Sequence, residues 1–146
     1  MYRNQIKAIL SLDPPSRENF RGIFAIDELP NRSSHGAYVV NYDESDKPGS
    51  HWVAIYVEAG SVEYFDSFGQ PPLDERLQTF VGEYYTYNPF QLQQTLGNAC
   101  GFYCTYFILK RSRQVQSNDI LRFLIRTNSD YIVKKFLYSH YSLVFK

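Results

Sequence analysis

Cysteine is scarce in this chain. Cys100 and Cys104 are the only two in 146 residues, too few for the disulfide framework of a small secreted domain. Four residues apart on a helix they do not readily bridge, so two free thiols in a reducing, non-secreted setting are expected. No apolar run approaches the roughly 18 residues of a membrane span, and no membrane partner is expected. Residues 1–12 break their apolar run with Asn4, Gln5 and Lys7, which fits an amphipathic helix better than a signal peptide. Repeats, low-complexity tracts and long linkers are also missing. One domain over residues 1–146 around a single core is therefore expected, working as a monomer.

Net charge is missing as well, with 15 Lys+Arg against 15 Asp+Glu. That zero is a cancellation. Residues 1–109 carry 7 basic and 13 acidic side chains, and residues 110–146 carry 8 basic and 2 acidic ones. A basic tail is a cue for a polyanionic partner, and more often it is only a solvated helix face. On the first reading Lys110, Arg111, Arg113, Lys134 and Lys135 lie on one side and contact DNA phosphates.

What the chain does hold is aromatic and apolar mass: 13 Tyr, 11 Phe and a 44% hydrophobic fraction, which excludes a disordered chain. Residues 2–11 read as a helix with Ile6, Ile9 and Leu10 on one face, stopped by Pro14 and Pro15. Phe20–Ile26 is apolar and leads into a turn-rich run over 29–36. Ala37–Tyr42, His51–Glu58 and Ser61–Ser67 read as strands, the last two joined through Ala59-Gly60 as a tight hairpin. Residues 73–85 read as a helix, and so does the apolar run that Cys100-Gly101 opens. Ser117 and Ser129 are candidate N-caps for helices over 118–127 and 130–139. Helix, strands, then helices is an α+β order with segregated layers.

A cysteine at a helix start has unpaired N–H groups and the helix dipole to stabilise a thiolate. Cys100 has that setting. A thiolate nucleophile also needs a base and a group to orient it. His51 starts one strand of the hairpin and Asp66 ends the other, so the two meet at one sheet edge. Gln94, six residues before Cys100, is a candidate donor to a developing oxyanion together with the Cys100 N–H; Gln91 and Gln93 compete on spacing alone. Each residue also has an ordinary structural role available: a surface histidine, an Asx-turn aspartate, a small core cysteine.

Three separated blocks then agree in order. Gly49-Ser50-His51-Trp52-Val53-Ala54, Tyr64-Phe65-Asp66-Ser67-Phe68-Gly69 and Gln94 through Asn98-Ala99-Cys100-Gly101-Phe102-Tyr103-Cys104 resemble the adenovirus-type maturation cysteine proteases. These share a clan with the SUMO-specific proteases. Phe20–Phe24, Leu29-Pro30 and Val39-Val40-Asn41 resemble the adenovirus branch. The resemblance implies a small central mixed sheet packed by helices, with a papain-like site in permuted order, His–Asp–Gln–Cys. It makes Cys100 the nucleophile, His51 the base and acid, Asp66 its orienter and Gln94 the oxyanion donor. Trp52 is then a shield for the ring, and Gly101 a residue that lets the backbone approach the substrate carbonyl.

The implied activity is cleavage of viral or transposon structural precursors during particle maturation, in the virion and in the host nucleus or cytoplasm. No metal or cofactor is required by the sequence. DNA or an activating peptide are candidate cofactors by resemblance, although this chain has no cysteine before Cys100 to bond such a peptide covalently. The alternatives are a deconjugating protease for a ubiquitin-like modifier and a non-catalytic binding module that keeps the fold.

Overall fold

The computed structural model describes residues 1–47, 50–94 and 97–146. Its elements run α1 (Arg3–Leu12), α2 (Pro14–Arg17), β1 (Phe20–Ala25), β2 (Gly36–Asn41), β3 (Trp52–Glu58), β4 (Ser61–Phe65), α3 (Glu75–Val81), β5 (Tyr85–Tyr87), α4 (Cys100–Ser112), α5 (Ser117–Ile125) and α6 (Ser129–His140), with a final 3-10 turn at Ser142–Phe145. The prolines end α1 as expected but do not end helical structure. Asp13 leaves the helix in an extended conformation, caps Ser16 N–H, and sets Pro14 and Pro15 in the first turn of α2. A missing N–H costs nothing there.

The strands form one mixed sheet in the order β1-β2-β3-β4-β5. The central pairs β2–β3 and β3–β4 are antiparallel, and the outer pairs β1–β2 and β4–β5 are parallel. Ala59 and Gly60, both at positive φ, make the hairpin turn with Glu58 opposite Ser61. This is the turn whose twist matches the flanking strands. β5 is only three residues long and half exposed, so it carries no alternation that the sequence could have revealed.

Side-chain alternation divides the core between the two faces of the sheet. Ala37, Val39, Ala54, Tyr56 and Phe65 face α1, α4, α5 and α6. Tyr38, Val40, Val53, Ile55, Val57 and Tyr64 face Leu77, Phe80 and Val81 of α3. Helices therefore cover both faces, where the order of elements had pointed to segregated layers. Helix α4 is apolar all round because it lies between the sheet and the other helices, with Phe107 stacked on Phe65 at 4.5 Å. That packing fixes where the helix begins, and Cys100 is its first residue.

Candidate active site

The hairpin register brings His51 and Asp66 together, each one residue beyond the end of its strand. With Ala54 paired to Phe65, His51 Nε2 lies 2.8 Å from Asp66 Oδ1, and the aspartate is buried. Oδ1 also accepts the Phe68 N–H at 2.8 Å, in an Asx turn. The structural and the site-forming roles open to Asp66 are thus filled together. The imidazole sits between two rings, Tyr42 at 5.9 Å and Phe68 at 4.9 Å. Trp52, expected as a shield for the ring, lines the same cleft as His51, and Tyr42 and Phe68 are ring neighbours that sequence reasoning missed. Alternation along β2 and the turn after Asp66 were the signals for them.

His51 Nδ1 is buried and, among the described residues, has no hydrogen-bond partner of ordinary geometry. It is coupled to the Cys100 thiol. Burial alone would push the ring's pKa down; hydrogen bonding and charge from Asp66 and Cys100 outweigh it and lift the value from 6.5 to about 9. For Cys100, burial pushes the pKa up, but His51 and the N–H groups of Trp52 and Gly101 bring it below the ordinary 9.0. The two shifts together favour thiolate and imidazolium over the neutral pair. Cys104, fully buried one turn later, moves well upward and is a packing residue.

His51, Cys100, Ser50, Trp52, Phe68, Gln93, Gly97, Asn98 and Met1 line a cleft of about 320 Å3. The glutamine in this lining is Gln93, whereas the Gln94 side chain is exposed. Gln93 is buried and fixed at both ends of its amide. Oε1 accepts from Ser67 Oγ at 2.6 Å, and Nε2 donates to Gly97 O at 2.9 Å. Ser67 O also receives the N–H groups of Leu92 and Gln93. The turn that orients Asp66 and the loop before Cys100 are thereby one connected structure.

Two further residues hold that connection. Asn88, buried, grips the Asp66 backbone with both ends of its amide, accepting from Asp66 N–H at 3.0 Å and donating to Asp66 O at 2.6 Å. Gly69 takes φ +76°, and a Cβ there would lie 2.4 Å from the Phe90 carbonyl carbon. Glycine is required on both counts. Asn88 carried no signal in the sequence beyond a turn-forming Asn-Pro pair.

Gly101 also serves packing. A Cβ there would lie 3.0 Å from Met1 Cβ and 3.4 Å from Ile6 Cδ1 and Trp52 Cδ1, so its small size lets α4 approach α1 and Trp52.

The five basic residues expected on a DNA-facing side do not share one. Arg111 is 3% exposed, with its guanidinium 2.9 Å from Glu63 and 3.2 Å from Glu58 and stacked over Tyr56. Arg113 makes a two-pronged contact with the Asp13 carboxylate. Lys110 lies over the Phe136 ring at 4.7 Å. Lys134 reaches Asn98 Oδ1 at 3.4 Å, beside the cleft, and Lys135 lies over Tyr131 at 5.6 Å. A buried arginine must be neutralised by carboxylates from within the fold, and a charge count along the chain cannot register that. Among the described residues there is no cluster suited to a metal ion, and no helix is long and apolar enough to cross a membrane.

No family model matches the chain. A thiol protease of Acanthamoeba polyphaga mimivirus is 33% identical over 88 residues, covering 51% of this chain and 29% of that protein. The SUMO protease Ulp1 overlays with TM-score 0.49 and 16% identity, over 92% of this chain and 78% of that one. Two crystal structures of the ASFV pS273R protease overlay with TM-scores of 0.57 and 0.50, at 18% and 25% identity. They cover 88% and 75% of this chain, and 63% and 44% of the protease. This chain spans less than two thirds of the mimivirus and ASFV proteins, and over that span it has the fold of the ASFV protease.

Proposed function

We propose that this chain is a cysteine endopeptidase that cuts precursor proteins of a virus or a virus-like element. The observation that carries the reading is the His51–Asp66 pair coupled to a thiol of lowered pKa in one cleft. The likeness to viral thiol and ASFV proteases supports it. Placement with the adenovirus-type enzymes, and with particle maturation, rests on the sequence motifs.

In this reading the Cys100 thiolate attacks the scissile carbonyl carbon, and the π electrons of the C=O move to oxygen. The Cys100 N–H, at the helix start, and a glutamine amide stabilise that oxyanion. Gln93 lines the cleft and is the better placed of the three glutamines, so the role expected of Gln94 passes to it. The His51 imidazolium gives its proton to the leaving amine as the C–N bond breaks, leaving a thioester. Neutral His51 then takes a proton from water, which attacks the thioester. Collapse expels the Cys100 thiolate, His51 regains its charge, and the acid product departs. Asp66 holds the ring and stabilises its cationic form throughout.

The test is to co-express wild type or Cys100→Ala with candidate structural precursors and to read cut sites by mass spectrometry. Cuts made by wild type alone support the reading. Efficient release of a reporter from a SUMO or ubiquitin conjugate, without precursor cleavage, replaces it with a deconjugating protease. Failure of a thiol-directed peptide warhead to label Cys100 leaves a binding module. DNA and an activating peptide enter the same assay as additions, and a rise in rate with either one makes it a cofactor.

A further inference from the structure

Helix α6 touches the loop before Cys100 at two points one helical turn apart. Asp130, in its first turn, places Oδ2 3.5 Å from the Gln94 N–H. That oxygen would also be 3.2 Å from a Cβ at Gly97. Gly97 N–H in turn donates to Gln94 O at 2.9 Å. One helical turn later Lys134 donates to Asn98 Oδ1, as i and i+4 share a face. The other carboxylate oxygen is fixed from the core: the buried Tyr103 hydroxyl donates to Asp130 Oδ1 at 2.6 Å and meets Ser129 Oγ at 2.5 Å. Tyr103 belongs to α4, three residues after the nucleophile. The carboxylate therefore bridges the helix that carries Cys100 and the backbone at Gln94.

We propose that Asp130 is a positioning residue of the active site. Its carboxylate, held by Tyr103, fixes Gln94 and Gly97 in place so that the Gln93 amide and the Cys100 N–H point at one oxyanion position. The inference rests on the protease reading for its catalytic consequence, but the hold on Gln94 and Gly97 does not. It also gives the C-terminal region a task inside the enzyme.

Asp130→Ala removes the acceptor, and Asp130→Asn keeps one for the Gln94 N–H. Misplacing a reacting group by an ångström or losing an oxyanion donor costs on the order of 10- to 100-fold or more. We therefore expect kcat for a cleaved peptide to fall about 10- to 100-fold in Asp130→Ala, with KM little changed, and to recover largely in Asp130→Asn. Amide hydrogen exchange at Gln94 and Gly97 should quicken in Asp130→Ala, while exchange within β3 and β4 stays as in wild type. Unchanged exchange at those two amides overturns the proposal, whatever the activity. So does quicker exchange with kcat intact, and so does a joint loss of kcat, KM and global protection. A wild type that cleaves no peptide sinks the protease reading alone, and the exchange measurement still decides the hold on Gln94 and Gly97.

Discussion

The region before Lys110 is acidic and supplies every side chain that lines the cleft; the region after it is basic and supplies supports. Among the described residues, two cations of the tail meet acids of the first region. Arg111 meets Glu58 and Glu63 from two strands, and Arg113 meets Asp13 between α1 and α2. Asp130, one of only two acids in the tail, is turned back toward the cleft loop. Part of an asymmetry that resembles an outward-facing tail in the sequence is thus answered within the fold, while Arg122, Arg126, Lys135 and Lys146 stay exposed.

The sharpest break in that comparison comes from the cleft side. Cys100→Ala should lower peptide cleavage by a factor on the order of 10⁴ or more and leave the melting temperature near wild type. A comparable loss of stability would mean that the thiol is a core residue first. Asp66→Asn comes next, with a fall in kcat on the order of 10²- to 10⁴-fold and a changed pH profile. His51 must be protonated to act as the acid, so the alkaline limb of wild type should lie near the raised value of about 9. Loss of the carboxylate charge should move that limb down toward 6.5. The ring's contribution to stability carries the same sign: it is complete below 6.5 and lost as pH rises through about 9. An alkaline limb that does not move in Asp66→Asn would detach the aspartate from the base.

On the tail side the largest effect should be on folding. Arg111→Ala leaves Glu63 partly buried without its cation, and breaking such a pair costs about 3–5 kcal/mol. Urea unfolding measures this, and a change under 1 kcal/mol would return Arg111 to the surface. Gly69→Ala, strained by its positive φ and blocked by the Phe90 backbone, should cost more than about 1 kcal/mol. Lys135→Ala removes an exposed ammonium from the Tyr131 ring and should stay within about 0.5 kcal/mol. If it also weakens a salt-dependent DNA complex, the outward reading of the tail regains ground.

The hairpin is the part of the site that was most legible in sequence. Ala59-Gly60 fixes the turn, the turn fixes the register, and the register brings His51 to Asp66. The helix opening at Cys100 was equally open to view, as a change from polar to apolar residues. Contacts that depend on the packing of distant segments were not legible. Asn88 grips Asp66 across 22 residues and Ser67 selects Gln93 across 26, so spacing alone could not choose among three glutamines. Arg111 reads as a surface charge until β3 and β4 are folded beneath it. β5 is too short to declare itself.

The central claim is that Cys100 and His51 form a thiolate–imidazolium pair. The rate of Cys100 alkylation by iodoacetamide against pH, in wild type and in His51→Ala, tests it most directly, since Cys104 is buried and its thiol is shifted well upward. The account predicts a reactive thiolate well below pH 9 in wild type, and a titration displaced upward to or beyond the ordinary thiol value in His51→Ala. One ordinary thiol titration, the same in both proteins, would contradict it.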